Sequence, residues 1–355
     1  MDKTDTPEIL MEKVRAFVAA NIKWNESYRV YTDHDLDKSF ELKNGSTSDI
    51  NLAVVALLKK AGLDAVPVLV STTDNGKVET NYPIARQFNS VVACVRDGEK
   101  RTFIDATDPF LPVGQVRLKQ YNKEGWVLDR KKPEWVKMKP AEVLLTWLGN
   151  LRLSPEGVLS GKFEILVSGT IAAQWRNDLK QLTATAFLKK NFDTGFPDIA
   201  FDSIVVKDGD VLNKPLKIEF VIAVPEAVNI VNDYMYFKPV LAYAISENQF
   251  KSPLRQLPVT LPHPIKASYI LNLELPEGYQ LEETPKPERI NLPGDIGKIT
   301  FNTGVDERSS RLIHVNLRTV LTETEFAPEN YTPLKTFFNL MFEKTDMQLV
   351  FKKPE

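Results

Sequence analysis

The residues best suited to nucleophilic or metal chemistry are scarce in this chain. Its 355 residues include one cysteine, Cys94, and three histidines, His34, His263 and His314. A single cysteine cannot form an intrachain disulfide, and it excludes a zinc site built from several thiolates. The scattered histidines argue against a histidine-rich metal centre. We expect neither a metal nor a cofactor. Any Cys–His or Ser–His catalytic pair has to use one of these few side chains.

The most informative stretch runs from residue 22 to residue 110, where polar motifs alternate with apolar runs. Its segments are Ile22-Lys23-Trp24-Asn25, Asn44-Gly45-Ser46-Thr47-Ser48-Asp49, Ala61-Gly62-Leu63-Asp64-Ala65-Val66-Pro67-Val68-Leu69-Val70-Ser71-Thr72, Phe88-Asn89-Ser90-Val91-Val92 and Phe103-Ile104-Asp105-Ala106-Thr107-Asp108-Pro109. Together these segments resemble the transglutaminase-like superfamily, which has a papain-like core of the cysteine-proteinase type. The resemblance covers about the first 130 residues. It is nearest to modules of uncharacterised bacterial envelope proteins, in which β-rich domains flank the core.

The resemblance implies a nucleophile, a base and an acid at three positions. At a helix N-terminus, unpaired amides and the helix dipole favour an anion, and a cysteine there has a lowered pKa. An adjacent strand supplies a histidine as base, and the next strand supplies an aspartate that orients it. In this chain Thr47 stands where the family has cysteine and Ser90 where it has histidine, whereas Asp105 is retained. The three positions lie 43 and 15 residues apart, a spacing that fits such a triad.

The two substitutions predict a catalytically inactive core. A threonine hydroxyl needs a base to become nucleophilic, and Ser90 supplies no imidazole. Loss of one triad member typically costs on the order of 10⁴ in rate, so loss of two leaves no recognisable activity. We therefore predict a binding or scaffolding module for a peptide, a protein or a cell-envelope polymer. The alternatives are a residual acyl transferase or peptidase that uses Thr47 or Cys94, and a purely structural spacer.

Structural explanations of the same residues stay open. Thr47 can act as a helix cap or first-turn residue, and Ser90 as a small residue in a strand. Asp105 precedes a turn sequence that it could equally cap. Cys94 ends a mostly apolar strand, where buried cysteines behave as small hydrophobic residues. Trp24 is the candidate to line the former active-site cleft, where an aromatic pocket would bind without chemistry.

We expect none of the three histidines to lie in a catalytic or metal site. His34 lies in the polar stretch Tyr31–Asp37, and the spacing of its aspartates matches no EF-hand, so we expect a solvated loop. His314 falls opposite the apolar face of its strand and is expected at the surface. His263 lies between two prolines in a connection.

Helical and strand patterns alternate in residues 1–135, which we predict to be the transglutaminase-like domain. Thr6 and Pro7 start a first helix, whose apolar stripe includes Phe17. A second helix begins at Ser46 or Thr47 and ends at Gly62. Three strands with a hairpin between the last two follow, at Ala65–Ser71, Phe88–Val95 and Arg101–Asp105.

A basic, proline-flanked stretch at residues 130–140 is predicted to be a linker. Beyond it the hydrophobic period becomes mainly two, which is typical of antiparallel sheets with one buried face. Residues 136–355 therefore predict a β-sandwich-type domain, interrupted by helices near residues 171–190 and 333–344 and completed by a short strand at Met347–Phe351. The fold class is thus α+β: a transglutaminase-like core followed by a mainly antiparallel β-sandwich domain with inserted helices.

Composition limits the classes of partner. Lys and Arg total 45 against 47 Asp and Glu, for a net charge of −2, which argues against nucleic acid as a partner. Neither a GxGxxG nor a P-loop motif is present, and no apolar run approaches the roughly 20 residues of a membrane span. We therefore predict no transmembrane segment in this chain, and no signal peptide is visible in it. The resemblance implies that the full-length protein is exported to the periplasm, with a leader and a first β domain outside this sequence.

Overall fold

The computed structural model describes residues 5–353, apart from residue 83, residues 193–195, residue 197, residues 243–247 and residue 249. The chain divides into two compact units, Met1–Ala141 and Glu142–Glu355. Its architecture is mixed α+β and rich in strands, with several antiparallel sheets, which confirms the predicted class at this level.

The N-terminal unit places helices beside a five-stranded antiparallel sheet. Its helices are α1 (Pro7–Asn21), α2 (Leu36–Leu42) and α3 (Thr47–Lys60). Its strands are β1 (Lys23–Trp24), β2 (Asn44–Gly45), β3 (Ala65–Val70), β4 (Ser90–Asp97), β5 (Lys100–Ile104), β6 (Lys123–Val127) and β7 (Glu134–Met138). The order in the sheet is β5-β4-β3-β6-β7, while β1 and β2 form a short parallel pair.

Local signals fix the ends of the two long helices. Thr6 caps α1 with its side chain, and Ser46 and Asp49 form a capping box at the start of α3. Gly62 follows α3 with a φ of +89°, a conformation that glycine adopts without steric cost. One predicted core residue is wrong: Phe17 is 52% exposed, because the buried face of α1 is formed by Met11, Val14, Arg15 and Val18.

Part of the predicted linker is a strand. Residues 134–138 form β7 and extend the five-stranded sheet, so the first unit continues to Ala141. Val136 and Met138 are buried on one face, while Lys137 between them points to solvent. The lysines and prolines around this strand dominate the composition, and they hide its alternating pattern in the sequence.

The C-terminal unit is built on an eight-stranded sheet. Its strands are β8 (Val143–Leu153), β9 (Leu159–Val167), β10 (Ala200–Lys207), β11 (Leu216–Val224), β12 (Val228–Val231), β13 (Tyr234–Phe237), β14 (Val259–Thr260), β15 (Ile265–Glu274), β16 (Gln280–Glu283), β17 (Glu288–Asn291), β18 (Gly297–Asp306), β19 (Ser309–Leu321), β20 (Glu325–Phe326) and β21 (Leu349–Lys352). Its helices are α4 (Gly169–Gln181), α5 (Ala184–Asn191) and α6 (Tyr331–Thr345). The large sheet has the order β10-β11-β9-β8-β15-β19-β18-β17, and a smaller sheet has the order β12-β13-β21-β16.

The inner face of the large sheet carries the core of this unit. Alternate residues of its strands are buried together with side chains from α4, α5, α6 and the smaller sheet. The opposite face of the large sheet carries polar and partly exposed side chains, as the period-two pattern predicts. No helix in the described ranges is both long and apolar enough to span a bilayer.

Two details of the C-terminal unit were not predicted, although the sheet is mainly antiparallel as expected. The single helix expected near residues 171–190 is two helices, because Thr183 accepts a hydrogen bond from the backbone N–H of Ala186 and caps a new start. The sheet is also not wholly antiparallel, since β8 and β15 pair in parallel. That pairing joins residues as far apart in sequence as Asn150 and Asn272, 122 positions, which local periodicity cannot indicate.

Candidate functional site

Thr47 occupies the first position of α3 and is fully buried. Its Oγ1 accepts a hydrogen bond from the backbone N–H of Arg29 at 3.0 Å and donates one to the Arg29 carbonyl at 3.1 Å. Its backbone N–H donates to the carbonyl of Ser27 at 3.1 Å. Both the hydroxyl and the amide of this residue are therefore committed to bonds within the chain.

Ser90 is the first residue of β4, where it lies opposite Val70 of β3, and it is fully buried. Its Oγ accepts a hydrogen bond from Nε2 of Gln120 at 3.1 Å. Gln120 is itself buried, and its Oε1 accepts from the backbone N–H of Arg117 at 3.0 Å. An amide thus contacts the position at which the resemblance implies an imidazole.

Asp105 directly follows β5 and is also fully buried. Its Oδ1 accepts hydrogen bonds at 3.0 Å from Nδ2 of Asn51 and from the backbone N–H of Thr107. Its Oδ2 accepts a longer bond, at 3.4 Å, from the backbone N–H of Arg117. The carboxylate holds the turn after β5, which is the structural role left open for it in the sequence.

Asn51 joins the elements that carry these three residues. It lies one helical turn after Thr47, and its Nδ2 donates to the carbonyl of Val91 at 2.9 Å as well as to Asp105. Its Oδ1 accepts from the backbone N–H of Ala106 at 3.0 Å. The start of α3, the start of β4 and the end of β5 are therefore brought together through one buried amide.

Residues 25–33, which we name the strap, lie against the N-terminus of α3. Besides the bonds to Thr47, the carbonyl of Tyr31 accepts from Oγ of Ser48 at 2.7 Å. The backbone N–H of Asp33 donates to Oδ1 of Asp49 at 3.1 Å. Free amides at a helix N-terminus attract anions, but here the amide of Thr47 is bonded to the strap.

Trp24 is half-buried and lies beside the strap. Its Nε1 donates to the carbonyl of Ser27 at 3.2 Å, and its ring packs edge-on against Tyr28 with centroids 5.2 Å apart. The guanidinium of Arg117 lies 4.0 Å from the centre of the Trp24 ring, a cation–π contact. Arg117 also donates from Nε to Oγ1 of Thr107 at 2.8 Å. Arg117 therefore covers one face of the Trp24 ring. Burial raises the pKa of the neighbouring Tyr28.

A pocket of about 200 Å³ is lined by Asn25 and Asp33, at the two ends of the strap, together with His34, Leu42, Asn44, Gly45 and Asp49. His34 is exposed, as expected for a loop, although it borders this pocket. The residues that the structure describes contain no cluster of three or more His, Cys, Asp or Glu side chains able to hold a metal ion.

Cys94 and the other two histidines have other places in the fold. Cys94 is fully buried in β4, and burial raises the pKa of its thiol to about 12. His263 is buried in the connection before β15, and burial lowers its pKa. His314, on the outer face of β19, contacts Asn272 through Nδ1 and Asp306 through Nε2, each at 2.8 Å.

Three residues of this site were not singled out from the sequence: Asn51, Gln120 and Arg117. Asn51 carried a usable signal, because it is a polar residue four positions after Thr47 on the buried face of an apolar helix. Gln120 and Arg117 lie in an irregular segment around a short 3₁₀ turn at Leu118–Gln120. Local patterning gives no indication of which side chains of such a segment turn inward.

The comparisons with known proteins support the fold and leave the activity open. The chain is similar to the crystal structure of a protein from Parabacteroides distasonis ATCC 8503 described as a "putative protease", with 12% sequence identity and a TM-score of 0.57. The likeness covers 99% of this chain and 53% of that one, so this chain spans about half the length of that protein. At this identity the likeness shows a shared fold and nothing about catalysis.

A family model matches within the C-terminal unit. The family is described as "Domain of Unknown Function with solved-structure structure (DUF3858)", and it matches residues 233–351, about a third of the chain. No curated protein matches the sequence. The matched region lies outside the site formed by Thr47, Ser90 and Asp105, so the function has to be argued from the geometry of that site.

Proposed function

We propose that the N-terminal unit is a transglutaminase-like core without acyl-transfer chemistry, and that the protein acts as a binding or scaffolding module. The observation that carries this proposal is the strap, which bonds to both the amide and the hydroxyl of Thr47. The partner would be a peptide, a protein or a cell-envelope polymer. Export to the periplasm is part of the same proposal and rests on the resemblance alone.

The chemistry of the site supports loss of activity. Thr47, Ser90 and Asp105 are fully buried, so a substrate carbonyl has no access to them in this conformation. A hydroxyl nucleophile needs a base within hydrogen-bond reach, but Oγ1 of Thr47 bonds to the backbone of Arg29. Ser90, at the position of the base, accepts its bond from a neutral amide.

The second candidate function is a residual peptidase or acyl transferase, which is favoured by the likeness to a protein described as a protease. It would need Thr47 or Cys94 as nucleophile. Burial raises the pKa of Cys94 to about 12, so its reactive thiolate is scarce at neutral pH. Both nucleophiles thus lack the exposure and activation that the reaction demands.

Incubation with a fluorescent amine and a glutamine-rich protein, and separately with a labelled peptide mixture, tests the two candidates. We expect the rates of amine incorporation and cleavage to equal those of the Thr47→Ala and Cys94→Ala variants. A rate above background that disappears in either variant would overturn the proposal and establish the second candidate.

A constructive experiment tests the assignment of positions 47 and 90. In a Cys94→Ala background, we expect the thiol of Thr47→Cys with Ser90→His to have a lower pKa than the thiol of Thr47→Cys alone. An imidazole beside a thiol stabilises the thiolate, so the ultraviolet absorbance of the thiolate should appear about one pH unit lower, a readout that needs no access for a reagent. Equal pKa values in the two variants would show that the positions do not form a nucleophile–base pair.

A further inference from the structure

The outer face of the eight-stranded sheet contains a depression of about 420 Å³ in the C-terminal unit. It crosses β15, β18 and β19. Residues with side chains on this face are Ser268 and Ile270 of β15, Asn316 and Arg318 of the central strand β19, and Lys298, Thr300 and Asn302 of β18. None of the residues that line it is acidic, so its charge is positive.

The two cations of the depression are free to act on a ligand. Neither Lys298 nor Arg318 forms an ion pair with any residue in the described ranges. The neighbouring Lys266 differs, because it pairs with Glu142 at 2.8 Å. A third cation, Arg289, lies on the adjacent edge strand β17 opposite Thr300. The surface is therefore complementary to negative charge.

The register fixes the separation of the two cations. Arg318 lies directly opposite Thr300, so Lys298 is its diagonal neighbour, about 7–8 Å away between Cα atoms. In an extended peptide, residues two apart point to the same side and lie about 6.6–6.8 Å from one another. Acidic side chains at alternate positions would meet Lys298 and Arg318 in turn.

We propose that this depression binds an extended acidic peptide with carboxylates at alternate positions. Lys298 and Arg318 pair with the carboxylates, and the side-chain amides of Asn302 and Asn316 can both donate to and accept from peptide groups. Ile270 provides an apolar lining surface for aliphatic stems. None of the lining side chains on the outer face of the sheet is aromatic, which favours a peptide over a sugar ring as the ligand. This site does not depend on whether the N-terminal unit is catalytic.

Fluorescence anisotropy with the full chain tests the proposal. The probe is a labelled peptide in which glutamate alternates with serine. We expect binding at low ionic strength that weakens with added salt and is absent for the matching glutamine–serine peptide. A peptide with the same number of glutamates at every third position should bind more weakly, because its carboxylates point to different sides.

Matched variants locate the site. Lys298→Gln with Arg318→Gln should weaken binding by about tenfold or more, as expected when two charge-assisted contacts are lost. Lys298→Arg with Arg318→Lys should retain it. Lys189→Gln with Lys286→Gln removes the same charge from exposed positions elsewhere and should leave affinity unchanged. Equal loss in both double glutamine variants, absence of peptide binding, or tighter binding of an oligouronate than of the peptide would overturn the proposal.

Discussion

A single buried amide, that of Asn51, links the elements that carry Thr47, Ser90 and Asp105. Asn51 bonds to the carbonyl of Val91, to the carboxylate of Asp105 and to the backbone N–H of Ala106. The side chain of Asn51 is buried, so its removal would deprive each of these groups of a hydrogen-bond partner that water cannot replace. The residue acts as a structural link between a helix and two strands.

Asn51→Ala should lower the free energy of unfolding by about 3 kcal/mol, because three buried polar groups lose their partner. The matched control is Asn21→Ala, whose exposed amide bonds to the Phe17 carbonyl and should change stability by less than about 1 kcal/mol. Urea denaturation followed by far-UV circular dichroism measures both. Equal effects in the two variants would contradict the linking role.

Cys94 should be inert in the folded protein. Burial raises the pKa of its thiol from the ordinary 9.0 to about 12, so the thiol stays protonated through mild alkali. We expect no reaction with a disulfide reagent at pH 8 and stoichiometric reaction after unfolding in guanidinium chloride. The contribution of this group to stability is complete below about pH 9 and is lost as the pH rises toward 12, since the unfolded thiol ionises first. Rapid labelling of the native protein would contradict its burial.

At the scale of elements, the predictions succeeded where the signal was local. Thr6 with Pro7 and Gly62 marked helix ends, and the alternating runs marked the long strands. The break at Thr183 was missed, because the residues on either side of it continue a helical pattern. The strap was missed for a different reason: it contacts α3 through its backbone N–H and carbonyl groups, which the pattern of its own side chains does not encode.

One glycine controls the pairing of β8 and β9. Gly161 has a φ of +145°, and a Cβ atom there would lie 2.4 Å from the carbonyl oxygen of Asn150. Gly161→Ala should therefore destabilise the C-terminal unit by more than about 2 kcal/mol. Gly304→Ala, on the same sheet with open space around its Cβ position, should be nearly neutral. Thermal unfolding of both variants provides the measurement, and a neutral Gly161 variant would contradict this explanation.

At the scale of the whole molecule, each unit contains its own hydrophobic core. The buried cluster of the C-terminal unit draws on residues from Leu145 to Phe351, whereas the clusters of the N-terminal unit lie between Met11 and Met138. Sequence patterning indicated two domains because the period changes between them. The position of the division was harder to predict, because β7 lies within a lysine-rich segment.

A fragment comprising residues 142–355 should fold alone, because a core of this size meets the usual requirement for an independent domain. We expect one cooperative thermal transition and native-like near-UV circular dichroism from its buried aromatic residues. The same fragment with Gly161→Ala serves as a destabilised reference. A fragment without a cooperative transition would show that its core needs the first 141 residues.

The parallel pairing of β8 with β15 imposes an order on biosynthesis. Paired residues such as Asn150 and Asn272 are 122 positions apart, and a ribosome adds about 5–20 residues per second. β8 can pair with β9 almost at once. Its other edge stays unpaired for on the order of ten seconds, until β15 has been synthesised. An unpaired edge of this kind attracts other strands, so refolding should be slow and prone to aggregation at high protein concentration.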